Sequence, residues 1–375
     1  MTDYRAHRPT IMGTTHMVCA GHNLAAAAGY RILEEGGNAI DAGIAAGIAI
    51  NVVLPENTNF GGVAPIMIYL AETNSVVTIS GLGRWPRAAS IDYFNQEHDG
   101  DLPLGILRAV VPSAPAAWLT ALERYGTLSL EKVITPALEL AEDGFPLSQV
   151  VQNEIVNQFA TGPVWEANSK IFQPGGHLPQ VGDRIVQSAL AGTFKRLIDV
   201  EHRARDRGRS AAIRAARDYF YKGELAREIA AFSESEGGLL RYEDLNDFSV
   251  GHEAPVSGQF KNYSIYTCGP WCQGPVVAQV LQMLADDSLK DMGHNSASYI
   301  HLIAETLNLA FSDREHYFGD PDFVDVPIST LLSSAYTQTR RAEIDPDKAF
   351  GEMPPPGNTE IEPHYPNPPL GGGQP

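Results

Sequence analysis

Residues 39–50 read A-I-D-A-G-I-A-A-G-I-A-I, a helix-length run that is apolar on almost every face. A surface helix carries one apolar stripe, whereas a helix apolar all round has to be enclosed on every side. The segment therefore requires a body large enough to surround it, and its Ala and Gly residues let neighbouring backbones come close. Asn38 precedes it as an N-cap, and Gly36-Gly37 stops an earlier helix expected over 24–35 with Asn23 as its cap. Asp41 is the polar intruder. Close to a helix N-terminus a carboxylate is favoured, so it reads as a cap or backbone acceptor.

The remaining chain has the material for that enclosure. With 375 residues, 43% of them hydrophobic and 19% charged, it can fill a large core, and global disorder is excluded. The length suits two or three domains, or one large α/β unit. Two β runs over 64–71 and 75–80 flank Glu72-Thr-Asn-Ser75 and read as a hairpin. From about 111 to 245, Leu, Ala and Glu recur at helical spacing, predicting helices over 114–125, 130–143, 192–200, 210–221 and 223–236. Strand-like alternation returns over 256–267, and helices resume over 275–285 and 296–314. No repeat of solenoid period is present.

The formal charge of −18 argues against nucleic acid, whose binding needs basic surface, and against an anionic membrane. One segment departs from it: 202–217 carries six arginines against one acid. On one helix, Arg203/Arg207 and Arg205/Arg209 would lie one turn apart, forming a solvated basic face that pairs with acidic neighbours. Cys19, Cys268 and Cys272 are too few for a disulfide framework. Cys268-Gly-Pro-Trp-Cys272 lacks a second pair for a metal site, so both cysteines read as half-buried thiols and no metal or cofactor is expected. No apolar h-region precedes Thr10 and no run is long enough to span a bilayer, so a chain starting naturally at Met1 is expected in the cytoplasm.

Local chemistry offers no nucleophile. Gly36-Gly37 and Gly61-Gly62 fit neither GxGxxG nor a P-loop, and G-x-S-x-G and HExxH are absent. Thr14-Thr15-His16 reads as a loop, because an internal threonine has no free amine. Asp313-Arg314 and Asp320-Pro-Asp322 read as turn and cap residues.

Gly36-Gly37-Asn38-Ala39-Ile40-Asp41-Ala42 resembles the GGNAxDA run of the γ-glutamyltranspeptidase family. The resemblance continues in order through Val53-Leu-Pro55, Phe60-Gly61-Gly62, Val110-Val-Pro112, Tyr125-Gly126 and Pro136-Ala137 to Phe145. It resumes at Tyr219-Phe-Tyr-Lys-Gly223, Gly237-Gly238, Glu243-Asp244-Leu245, and Asp313-Arg314 to Val324. It implies an α/β (α+β) N-terminal-nucleophile hydrolase, a four-layer αββα sandwich completed by a small subunit cut from the same precursor. The small subunit's N-terminal threonine would attack a small-molecule amide and form an acyl-enzyme. This chain would be the large subunit, with no catalytic residue of its own. Residues 1–352 would belong to the shared domain, and the Pro/Gly-rich stretch 353–375, with eight prolines and four glycines, would be an extended tail ending at a processing site at Pro375. Relatives are often periplasmic or secreted.

One departure bears on specificity. The family's Arg-Glu-x-Ala-Pro pattern supplies an arginine for the substrate α-carboxylate. Here the segment is Ser80-Gly-Leu-Gly-Arg-Trp-Pro86, with Leu82 and Gly83 at the positions of the charged pair. Arg84, with Arg87 and Trp85 as neighbours, is then the candidate for substrate binding, since a guanidinium matches a carboxylate. Trp85 suits a less polar acyl group. A γ-glutamyl enzyme, an acylase or oxamate-amidohydrolase-like hydrolase of the same family, and a non-catalytic binding protein of the same fold are the alternatives.

Overall fold

A computed structural model describes residues 10–359 except Pro163; Pro375 and the rest of the stretch from 360 lie outside the described residues. The described chain is a mixed α+β structure dominated by helices, with short antiparallel strands. It divides into two compact units, one of residues 10–64 and 81–250 and one of residues 65–80 and 251–359.

In the first unit the apolar helix is Ala39–Val53, and ten of its residues are buried. Helices Asn23–Glu34, Ala114–Tyr125 and Leu130–Glu142 pack around it. The Trp118 ring lies so close that a Cβ on Gly47 would sit 2.5 Å from it. The helix starts in a capping box: the Asn38 side chain accepts the Ile40 and Asp41 N–H groups at 2.9 Å, and Asp41 accepts that of Asn38 at 2.9 Å. Asp41 is 0% exposed and reaches further. It accepts the Thr127 N–H at 2.9 Å, the Thr127 hydroxyl at 2.6 Å and the Leu128 N–H at 3.3 Å. One carboxylate thus fastens the buried helix to the turn before Leu130–Glu142. The first helix begins one residue earlier than expected, because His22, not Asn23, caps it: its Nδ1 accepts the Leu24 N–H at 3.2 Å.

The basic segment does pair with acids, but not along one helix. Helix Ser188–Ala204 ends in a 3-10 turn, Gly208 adopts φ 89°, and Arg209–Lys222 starts afresh. Arg205 and Arg209 therefore share no continuous face. Arg209 donates to the carbonyls of Leu122 (3.1 Å), Leu128 (3.2 Å) and Gly126, so it closes the C-terminus of Ala114–Tyr125 where a cation is favoured. Arg214 and Arg217 both bind Glu123. Glu201, buried on the preceding helix, accepts the Leu130 and Glu131 N–H groups at 2.6 and 2.8 Å; burial pushes its carboxyl above the usual range.

In the second unit Ile66–Leu70 pairs antiparallel with Ser75–Ile79, which also pairs with His252–Glu253. A second hairpin, Val256–Phe260 with Tyr263–Thr267, packs against helix Gly274–Met283, beside Ala297–Tyr317 and Ser334–Ala342. Asp313 is not a turn or cap residue. It lies inside Ala297–Tyr317 with 0% exposure, 3.1 Å from the Arg340 guanidinium, and accepts from the Gln279 amide at 2.6 Å and the Gly357 N–H at 2.8 Å. Asp320 does serve a turn, accepting the Asp322 N–H. Residues 353–359 form no helix or strand. Their backbone is held by Ser312 to the Pro354 carbonyl, Arg340 to that of Pro355, and Tyr317 to that of Gly357.

Among the described residues six helices fall outside the predicted set, and the two longest show why. Gln149–Thr161 buries only Val151 and Ile155, too few to leave a periodic signal. Ser334–Ala342 buries Tyr336, Thr337 and Arg340, two of them polar. Among the described residues no helix is long and apolar enough to cross a membrane.

Candidate functional site

Three backbone segments of the first unit converge on Ser113, the fully buried residue that opens helix Ala114–Tyr125. Its hydroxyl donates to the Gly81 carbonyl at 2.5 Å, and its N–H donates to that of Gly62 at 2.9 Å. The Ala64 N–H also reaches the Gly81 carbonyl, and the Val111 N–H donates to the carbonyl of Arg84, each at 2.9 Å. This last contact needs Gly83: a Cβ there would sit 2.2 Å from the Val111 carbonyl oxygen, a backbone atom with nowhere to go. The buried Tyr221 hydroxyl pins the third segment. It donates to the Pro112 carbonyl at 2.6 Å and accepts the Ala116 N–H at 3.0 Å, and burial pushes its ionisation far up.

Residues 84–87 follow this knot along the chain. Arg84 is exposed. Trp85 is 48% exposed and meets Phe94 edge-on at 6.4 Å. Behind it lies a cavity of ≈ 320 Å³, its apolar wall formed by Trp85, Ile91, Phe94 and Leu102 and its polar lining including Ser90, Asn95 and Asp101. Arg87 points elsewhere. Its N–H donates to Asp244 at 3.1 Å and its guanidinium to Asp247 at 2.9 Å, which raises the arginine and lowers the aspartate. The three residues predicted from sequence are thus contiguous, but Arg87 is already engaged. Leu82, at the family's arginine position, is 40% exposed.

Sequence reasoning passes over Arg108. It lines a second cavity of ≈ 370 Å³ with Gly61, Gly62, Phe232, Ser233 and Leu240. Its Nε and Nη2 donate to the carbonyls of Leu102 and Pro103, which fix the guanidinium. Ser233 is 2% exposed, and its hydroxyl has no hydrogen-bond partner among the described residues. The available signal was a single charge inside the apolar run 104–112. Among the described residues no group of three or more His, Cys, Asp or Glu side chains is placed to hold a metal ion.

A family model described as Gamma-glutamyltranspeptidase matches residues 25–369. The Glutathione hydrolase proenzyme of Bacillus subtilis strain 168 is 31% identical over 351 residues, 92% of this chain and 57% of that protein. The Acylase ACY 1 proenzyme of Pseudomonas sp. strain V22 is 32% identical over 360 residues, 93% of this chain and 62% of that protein. The chain thus spans somewhat more than half the length of these relatives. Among solved structures, Helicobacter pylori gamma-glutamyltranspeptidase superposes with a TM-score of 0.83 at 30% identity, over 92% of this chain and 97% of that one.

Proposed function

Because the chain belongs to the γ-glutamyltranspeptidase family, we propose that it is the large subunit of an autoprocessed amide-cleaving enzyme. The observation that carries this reading is the match itself: residues 25–369 fit the family model, and the chain superposes on one chain of a solved transpeptidase with a TM-score of 0.83. In this reading the small subunit of the same precursor completes the αββα sandwich and supplies an N-terminal threonine. The threonine hydroxyl attacks the amide carbonyl, with its own α-amine as base. The amine product leaves with a proton, and the acyl-enzyme is released to water or to an acceptor amine. Residues 1–352 are assigned to the large-subunit part of that domain, and the Pro/Gly-rich 353–375 to an extended segment after it.

On this chain Arg84 is assigned to the substrate carboxylate. It is exposed and adjoins Trp85, whose ring lines the aromatic cavity, and Arg87 pairs with Asp247. Trp85 and its aromatic cavity are assigned to an apolar part of the acyl group. Leu82 and Gly83 in place of a charged pair, together with the likeness to an acylase proenzyme, support a second reading: hydrolysis of an amide other than γ-glutamyl. Assaying a γ-glutamyl anilide and an unrelated acyl amide, each with and without glycylglycine, separates the two. Acceptor-stimulated turnover of the γ-glutamyl substrate supports transfer; acceptor-independent release of acid from the other supports hydrolysis. Turnover of neither leaves the non-catalytic binding protein standing.

A further inference from the structure

Gly238 lets the Ser233 hydroxyl of helix Glu224–Ser235 meet the Ile106 side chain of the 3-10 turn Ile106–Arg108: a Cβ on Gly238 would lie 2.5 Å from Ser233 Oγ and 2.6 Å from Ile106 Cγ1. Both residues line the cavity of ≈ 370 Å³ that Arg108 also lines. That volume falls at the small end of ligand pockets, which run from about 300 to 1,000 Å³. Ile106, Phe232 and Leu240 give the cavity an apolar wall, and among the described residues no acidic side chain lines it.

Two polar groups in this lining are left with bonding capacity, and they sit at different depths. Arg108 is exposed. Its Nε–H is taken by the Leu102 and Pro103 carbonyls at 3.1 Å, and Nη2 donates to that of Leu102 at 2.6 Å. Nη1 has no acceptor among the described residues, and Arg108 forms no ion pair with them. The backbone carbonyls thus fix the guanidinium by one edge and leave the Nη1/Nη2 edge as the planar fork that a carboxylate fits. Ser233 is 2% exposed, and its hydroxyl has no partner among the described residues. A buried hydroxyl without a partner is uncommon, and a ligand atom that hydrogen-bonds it gains from doing so.

We infer that this cavity is a binding site for a small monocarboxylate with an apolar body and a hydroxyl at its far end, as in a hydroxyaryl acid. The carboxylate pairs with the free edge of Arg108 at the exposed end. The apolar body lies against Ile106, Phe232 and Leu240, and the far hydroxyl bonds Ser233 at the buried end. No bond is made or broken there, and the site does not depend on the amide chemistry.

The test is calorimetric titration of the purified, assembled protein with 3-(4-hydroxyphenyl)propionate, with 3-phenylpropionate, which lacks the hydroxyl, and with 4-(3-hydroxypropyl)phenol, which lacks the carboxylate. Wild type is expected to bind the first most tightly. Arg108→Gln is expected to weaken both acids about tenfold or more and to leave the phenol unchanged, which controls for the shape of the cavity. Ser233→Ala is expected to unfold no earlier than wild type and to bind the two acids equally. Arg84 is also assigned to a carboxylate, so Arg84→Ala is included and is expected to retain binding. Absence of binding of 3-(4-hydroxyphenyl)propionate to wild type would overturn the inference. So would binding lost in Arg84→Ala but kept in Arg108→Gln, or an undiminished preference for the hydroxylated acid in Ser233→Ala.

Discussion

Asp313 and Arg340 form an ion pair at 3.1 Å with side chains 0% and 2% exposed. Arg340 also donates to Glu343 at 2.8 Å and to the Leu309 and Pro355 carbonyls. Removing Arg340 leaves Asp313 buried with neutral donors only, whereas removing Asp313 leaves Arg340 with Glu343 as its remaining carboxylate. Arg340→Ala is therefore expected to cost about 3–5 kcal/mol of stability, and Asp313→Ala less. Replacing both with apolar residues of similar volume, Asp313→Leu with Arg340→Met, should cost less than either single change to alanine. Denaturant unfolding of the three variants checks the order.

Asp41 does the corresponding work in the first unit, for neutral donors. Asp41→Ala removes half of a capping box and leaves the Thr127 N–H without its acceptor. With a lost cap worth about 1 kcal/mol and a buried donor left unmade about 1–3, a loss of about 2–4 kcal/mol is expected. Asp41→Asn, which keeps an oxygen for some of these donors, should lose less. Equal losses for the two variants would show that the acceptor geometry is not what matters.

These two carboxylates show which parts of the molecule are readable along the chain. Asn38, Asp41 and the buried helix announce themselves because cap, charge and apolar run are adjacent in sequence, and the same locality makes Ala114–Tyr125 and the first hairpin legible. Asp313 is misread from its neighbours because its partners, Gln279, Arg340 and Gly357, lie 34, 27 and 44 residues away along the chain. The site divides the same way. Arg84, Trp85 and Arg87 are picked out by a local motif, but the Asp247 that occupies Arg87 is 160 residues distant. The break between the helices predicted over 192–200 and 210–221 is legible, but its position at Gly208, which separates Arg205 from Arg209, is not, because one glycine does not reveal a positive φ.

Gly83→Ala tests whether the backbone knot sets the site. The added Cβ meets the Val111 carbonyl, so the Arg84–Val111 hydrogen bond has to open. A stability loss of about 1–3 kcal/mol is expected, with KM for the amide substrate raised. A variant with unchanged stability and KM would mean that the turn is held by other contacts.

The two arginines should separate cleanly. Arg84→Ala is expected to lower kcat/KM for a carboxylate-bearing substrate about tenfold or more, through KM, as loss of a charge-assisted hydrogen bond implies. Arg87→Ala breaks only an exposed pair with Asp247 and should leave the unfolding midpoint unmoved. Unchanged kcat/KM in Arg84→Ala would remove its assignment.

The claim on which the functional account rests is that the nucleophile comes from a second chain of the same precursor. N-terminal sequencing of the protein purified from its natural source and resolved under denaturing conditions tests it directly. The account predicts a smaller companion polypeptide whose first residue is threonine. A single polypeptide without a threonine-led companion would contradict it.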